Sequence, residues 1–151
     1  MLQQVETDLK NAGIDPVYSP YVERDTLLKF AYVSPNAACG QYYHAKAAEM
    51  QHPGEVRDSF VRLMKEVVAL ADKMGIPLES RPGELVERNL CILDALAPTA
   101  STSMQRDMEA GKQSEVDGLI YQVVRLAEQY GVDAPEYRKI AEAVKKQTEN
   151  K

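Results

Sequence analysis

The chain has 151 residues but no tryptophan, only two phenylalanines and only two cysteines. Cys39 and Cys91 form neither a CxxC pair nor a metal-type spacing, which excludes a disulfide framework and a zinc site. Both stand among apolar residues and read as buried free thiols in a reducing compartment. The eight glycines are all isolated. No strand-like run leads into GxGxxG and no glycine-rich phosphate loop exists, so no cofactor-binding residue is expected on this chain. No apolar run is long enough to span a bilayer, and no charged-then-apolar signal opens the sequence. The expectation is a soluble, cytoplasmic protein. Positive charge is also scarce: 18 Lys and Arg face 23 Asp and Glu, giving a net charge of -5. With no basic stripe, this excludes nucleic acid and membrane surfaces as partners. His44 and His52 share neither HxxxH nor HExxH spacing, so they read as surface or loop residues and no metal is expected.

What is present is helical periodicity nearly throughout, and the predicted class is all-α. Residues 2 to 12 form a short amphipathic segment (Leu2, Val5, Leu9) stopped by Gly13. "IDPVYSPYV" reads as a linker or short extended piece. A helix is predicted from 24 to about 40, kinked or interrupted by Pro35. A piece carrying Tyr42 and Tyr43, read as core and rim, follows to residue 50. Residues 55 to 74 carry one broad apolar stripe (Phe60, Met64, Val67, Ala71), and 85 to 96 mark another helix ending before Pro98. Val116 to Tyr130 line a further helix stopped by Gly131. Asp133 and Pro135 look like the cap and first-turn proline of the last helix, and the polar tail from residue 145 is expected to fray.

The densest chemistry lies in "TSMQRDMEAGKQSEVD", residues 102 to 117. Thr102 with Gln105 matches a capping box, and Ser114 with Asp117 is a second cap-like pair. Capping accounts for those four residues. It leaves Ser103 in a first turn, where backbone N–H groups favour an anion, and Glu115 at the start of the long helix. Lys29 stands inside the apolar "TLLKFAYVSPNAA". Either it snorkels to solvent, or it is a partly buried lysine used as a general acid, with a carboxylate such as Glu115 to hold it.

"LLKF" before an Asn/Ala-rich helix, "MKEVVALADKMGI", and "TSMQRDMEAGKQSEVDG…VVRLAEQYGVDAPEY" occur here in one order. That order resembles the C-terminal helical domain of the ketopantoate reductase (2-dehydropantoate 2-reductase) family, over about residues 9 to 144. The most specific part is Ser-Met-x-x-Asp followed by Gly-(Lys/Arg)-x-(Ser/Thr)-Glu-(Ile/Val)-Asp, met by residues 103 to 117. The resemblance implies a compact multi-helix domain similar to the C-terminal domain of 6-phosphogluconate dehydrogenase. On that reading residues 1 to 24 are the inter-domain connecting segment, and 25 to 151 are the domain that binds substrate and supports a homodimer.

The resemblance also implies roles. Lys29 would be the general acid that protonates the substrate carbonyl oxygen, and Glu115 the carboxylate that binds a substrate hydroxyl and orients the lysine. Ser103 would contact substrate. The family typically carries Asn four residues after the lysine; here Val33 stands there, with Ser34 and Asn36 as the candidates to replace it. Ile120 and Tyr121 replace an Asn-Gly, and the tryptophan before the lysine is missing. The implied activity is NADPH-dependent reduction of 2-dehydropantoate or a related 2-oxo acid, a step of pantothenate biosynthesis. NADPH would be bound by an N-terminal Rossmann domain absent from this sequence. The expectation is a piece that begins at the domain boundary and is inactive alone. The alternative is a non-catalytic helical dimerisation or interaction module that has kept the fold.

Overall fold

A computed structural model describes residues 1–149, and among them there are eight α-helices and no strand. In chain order they are α1 (Leu2–Asn11), α2 (Val22–Tyr43), α3 (Ala47–Gln51), α4 (Glu55–Lys73), α5 (Glu84–Asp94), α6 (Ser103–Glu109), α7 (Gln122–Tyr130) and α8 (Pro135–Glu149). A π-helical turn, Asp117–Tyr121, runs directly into α7. α1 is amphipathic yet buries none of its side chains, and it ends, as its sequence suggests, before Gly13 at φ 78°.

The centre of the bundle is α2, which packs against α4, α6, α8 and the π-helical turn. The core is built from Phe60, Leu63, Met64 and Val67 of α4, Tyr137, Ile140 and Val144 of α8, and Met104, Ile120 and Val123. Each such side chain contributes about 1.5–3 kcal/mol when fully buried. Tertiary burial of these stripes, rather than helix propensity, therefore holds the elements together.

α2 corrects one expectation. Pro35 lies inside it, buried, and the helix continues for another turn and more. A proline at 35 has no N–H to give the carbonyl of Ala31. The side chain of Asn89 in α5 replaces that donor, its Nδ2 standing 3.2 Å from the Ala31 oxygen. The helix is thus repaired from a neighbouring element.

The start of α8 is another case. Pro135 is its first residue, but Asp133 is not its cap: Asp133 is exposed and pairs with Arg138 at 3.9 Å. Glu66 of α4 reaches across instead, its two carboxylate oxygens accepting from the N–H groups of Glu136 (2.8 Å) and Tyr137 (3.0 Å). Two smaller expectations also change. Cys91 is exposed, because α5 turns Leu85, Asn89 and Leu93 inward and leaves Cys91 on another face. The polar tail is helical from residue 145 through Glu149, while residues 150 and 151 lie outside the described residues.

Candidate functional site

The signature segment splits into a well-built half and an open half. Thr102 caps α6 as its sequence indicates: its Oγ1 accepts from the Gln105 N–H at 3.2 Å, and Gln105 Oε1 accepts from the Thr102 N–H at 3.0 Å. The same Gln105 amide also donates to the carbonyls of Gly40 (2.9 Å) and Ala45 (2.8 Å), fastening α6 to the last turn of α2. Gly40 makes this approach possible, since a Cβ there would stand 2.4 Å from Gln105 Oε1. Neither Gly40 nor Gln105 was marked by sequence reasoning as a clamp; the available signal was a glycine inside a strong helical pattern. The clamp presents Ser103, the first residue of α6, with its side chain exposed.

The second cap-like pair does not form. Ser114 makes no capping bond, and Asp117 turns to Arg125 in a two-pronged pair (2.9 and 3.0 Å). That pair holds the Asp117 carboxyl below its usual range. Glu115 sits just before the helical residues; its backbone carbonyl accepts from the Leu119 N–H at 2.9 Å, and its side chain is exposed.

Lys29 lies in the first half of α2, exposed to solvent. The expected Lys29–Glu115 contact is not made: among the described residues neither side chain has an ion-pair partner within 4 Å. Tyr32, Val33 and Asn36 follow Lys29 at three, four and seven positions, which places them on the same face of α2. Asn36 is nearly buried, its side-chain amide beside the Tyr32 hydroxyl. The Tyr32 hydroxyl is buried and makes no hydrogen bond of ordinary length; burial raises its pKa, and the nearby Asn36 amide opposes the shift.

Ser34 has a different place. It is fully buried, its Oγ donating to the Leu119 carbonyl at 2.6 Å and lying 2.5 Å from the Tyr137 hydroxyl. Its hydroxyl is committed to joining α2, the π-helical turn and α8, so it is not free for a substrate. Cys39 is equally interior; burial pushes its thiol up to about 12, leaving a neutral packing group. Among the described residues no cluster of three potential metal ligands occurs, and no helix is long and apolar enough to cross a membrane.

The fold matches solved enzymes of about twice the length. A 2-dehydropantoate 2-reductase from Methylococcus capsulatus superposes with a TM-score of 0.85 at 19% identity, covering 98% of this chain and 46% of that one. A dimeric ketopantoate reductase from Staphylococcus aureus gives 0.85 at 18% identity, covering 99% and 51%. D-mandelate dehydrogenase, solved with NADH and anilino(oxo)acetate, gives 0.79 at 15%, covering 97% and 48%. The chain therefore spans about half the length of these structures. No curated protein matches it in sequence. The family described as "Ketopantoate reductase PanE/ApbA C terminal" matches residues 21–148, and with that span the chain belongs to the ketopantoate reductase C-terminal family.

Proposed function

We propose that this chain is the substrate-binding and dimerisation half of an NADPH-dependent reductase acting on 2-dehydropantoate or a related 2-oxo acid. Family membership supports the reading. The observation that carries it is that Lys29 and Glu115, the two groups the chemistry requires, are exposed and unpaired in a domain where many other charges are paired. Hydride would come from a reduced nicotinamide held elsewhere, because this chain has no glycine-rich dinucleotide cradle.

As hydride adds to the carbonyl carbon, the Lys29 ammonium gives its proton to the carbonyl oxygen, and the product is the 2-hydroxy acid. Glu115 binds a substrate hydroxyl and, with substrate between them, orients Lys29. Ser103 bonds the substrate from the exposed first turn of α6. The Asn36 amide, on the same face of α2 as Lys29, supplies the contact that Val33 cannot make. Ser34 belongs to the scaffold. The exposed free thiol of Cys91 suits a reducing cytoplasm.

The test is NADPH oxidation by the full-length product over a panel of 2-oxo acids. Loss of a general acid in Lys29→Ala should lower kcat by about 10²–10⁴-fold. Activity equal to the parent on every substrate would overturn the assignment. The non-catalytic module is the second reading, favoured by Val33, Ile120 and Tyr121 standing where the family carries Asn, Asn and Gly; Ile120 is wholly in the core. The coding sequence upstream of Met1 separates the two: an in-frame Rossmann segment supports the enzyme, and a ribosome-binding site directly before Met1 supports the module.

A further inference from the structure

At the opposite end of α2 from Lys29, three elements line an open cavity of about 570 Å³. Gln41 and His44 come from the last turn of α2 and its cap, Gln147 from α8, and Met108, Lys112 and Ser114 from α6 and the turn after it. His44 lies fifteen residues beyond Lys29, about 22 Å along the helix axis. None of Lys29, Ser34, Asn36, Ser103 or Glu115 lines this cavity. Its volume is in the range of small-molecule pockets, about 300–1,000 Å³.

The lining chemistry is one-sided. Lys112 has no carboxylate within ion-pair range, and the hydroxyl of Ser114, free of the capping role its sequence suggested, bonds to nothing among the described residues. The His44 imidazole is likewise unpartnered; its backbone is left-handed (φ 52°), the one non-glycine case among the described residues, and it turns the chain at the cavity rim. Gln41 and Gln147 form an amide wall, Nε2 to Oε1 at 3.4 Å, and the Met108 side chain is the apolar surface. No Asp or Glu is among the described residues that line it. The carboxyl end of α2 opposes an anion with roughly half a unit of negative charge. That end is partly quenched, because the Gly40 carbonyl already accepts from Ala45 N–H and from Gln105. The full charge of Lys112 outweighs the remainder.

We propose that this cavity binds a small organic carboxylate, its head group held by Lys112, Ser114 and His44 and its carbon body lying on Met108. The assignment does not depend on the reductase reading. The experiment is an NMR titration of the ¹⁵N-labelled 151-residue chain with butyrate, and separately with inorganic phosphate. Saturable shifts are expected at the Gln41 and Gln147 side-chain amides and at the backbone of Lys112 and Ser114, with a butyrate Kd on the order of 1 mM. Losing a charge-assisted bond in Lys112→Ala should raise that Kd about tenfold or more, while Lys29→Ala leaves it unchanged. Phosphate, which cannot use the apolar floor, should bind more weakly than butyrate. The proposal falls if those positions show no saturable shift up to about 20 mM, a concentration well above the expected Kd. It falls equally if Lys112→Ala responds like the parent, if Lys29→Ala abolishes the response, or if phosphate binds as tightly as butyrate.

Discussion

Gly40 and Gln105 show how much of the site rests on two residues that carry no chemistry of their own. The Gln105 amide is bonded to the Thr102 N–H and to the Gly40 and Ala45 carbonyls, so it cannot swing aside cheaply when a methyl group is added at position 40. Gly40→Ala should therefore lower stability in urea unfolding by about 1–3 kcal/mol, even though alanine is the better helix former. In the Gln105→Ala background the same substitution should cost far less; an unchanged cost would show that the crowding is not with Gln105. At this scale the sequence was legible only where a residue acts on its own neighbours. Thr102 declared itself as a cap, whereas the buried hydroxyl of Ser34 looks the same in sequence as one facing a substrate.

The helices themselves were readable because burial enforces their period, and α4 and α8 lie where their apolar stripes put them. What periodicity cannot show is a bond made from another element. Pro35 reads as a breaker until Asn89 is found donating to Ala31, and Asp133 reads as a cap until Glu66 arrives from α4. Removing the donor in Asn89→Ala leaves the Ala31 carbonyl buried and unpaired, at a cost of about 1–3 kcal/mol beyond the lost packing. Pro35→Ala restores a backbone N–H to the same carbonyl. The double variant should thus recover part of the loss, measured as a non-additive term in a double-mutant cycle. Strict additivity would mean that Asn89 does not stand in for the missing amide.

For the whole molecule, the charges that join helices matter more than those on one helix. Burial pushes the Glu136 carboxyl up, but hydrogen bonds from Arg62, Lys139 and Ser59 outweigh it and hold the pKa at about 2, below its ordinary 4.5. A carboxyl depressed on folding contributes stability above its unfolded pKa and loses it as pH falls through the folded one. The parent should therefore lead Glu136→Gln in urea midpoint by a margin that shrinks between about pH 4.5 and pH 2. A margin that stays constant over that range would remove Glu136 as its source. Glu66 runs the other way: burial raises its carboxyl despite the two N–H groups it accepts from, so its contribution is lost as pH rises. The family was legible in the sequence, because the spacing from Ser103 to Asp117 is distinctive, and the candidate site residues follow from that resemblance. The geometry of the site was not, because nothing in the sequence says that Lys29 and Glu115 stand apart.

The π-helical turn between Glu115 and α7 acts as an angular offset. An α-helix advances about 100° per residue, so one residue more in a turn rotates everything before it by that amount relative to everything after it. Val123 and Ala127 of α7 face the core, and the turn sets the phase at which Glu115 leaves the helix axis independently of them. Gain or loss of a single residue just before Gly118, where the surroundings are open, would re-aim the carboxylate by about a quarter turn, carrying Val116 and Asp117 with it, while Ile120, Val123 and Ala127 keep their register. In this fold the direction of one acidic side chain is adjustable by length alone, without a substitution anywhere in the packing.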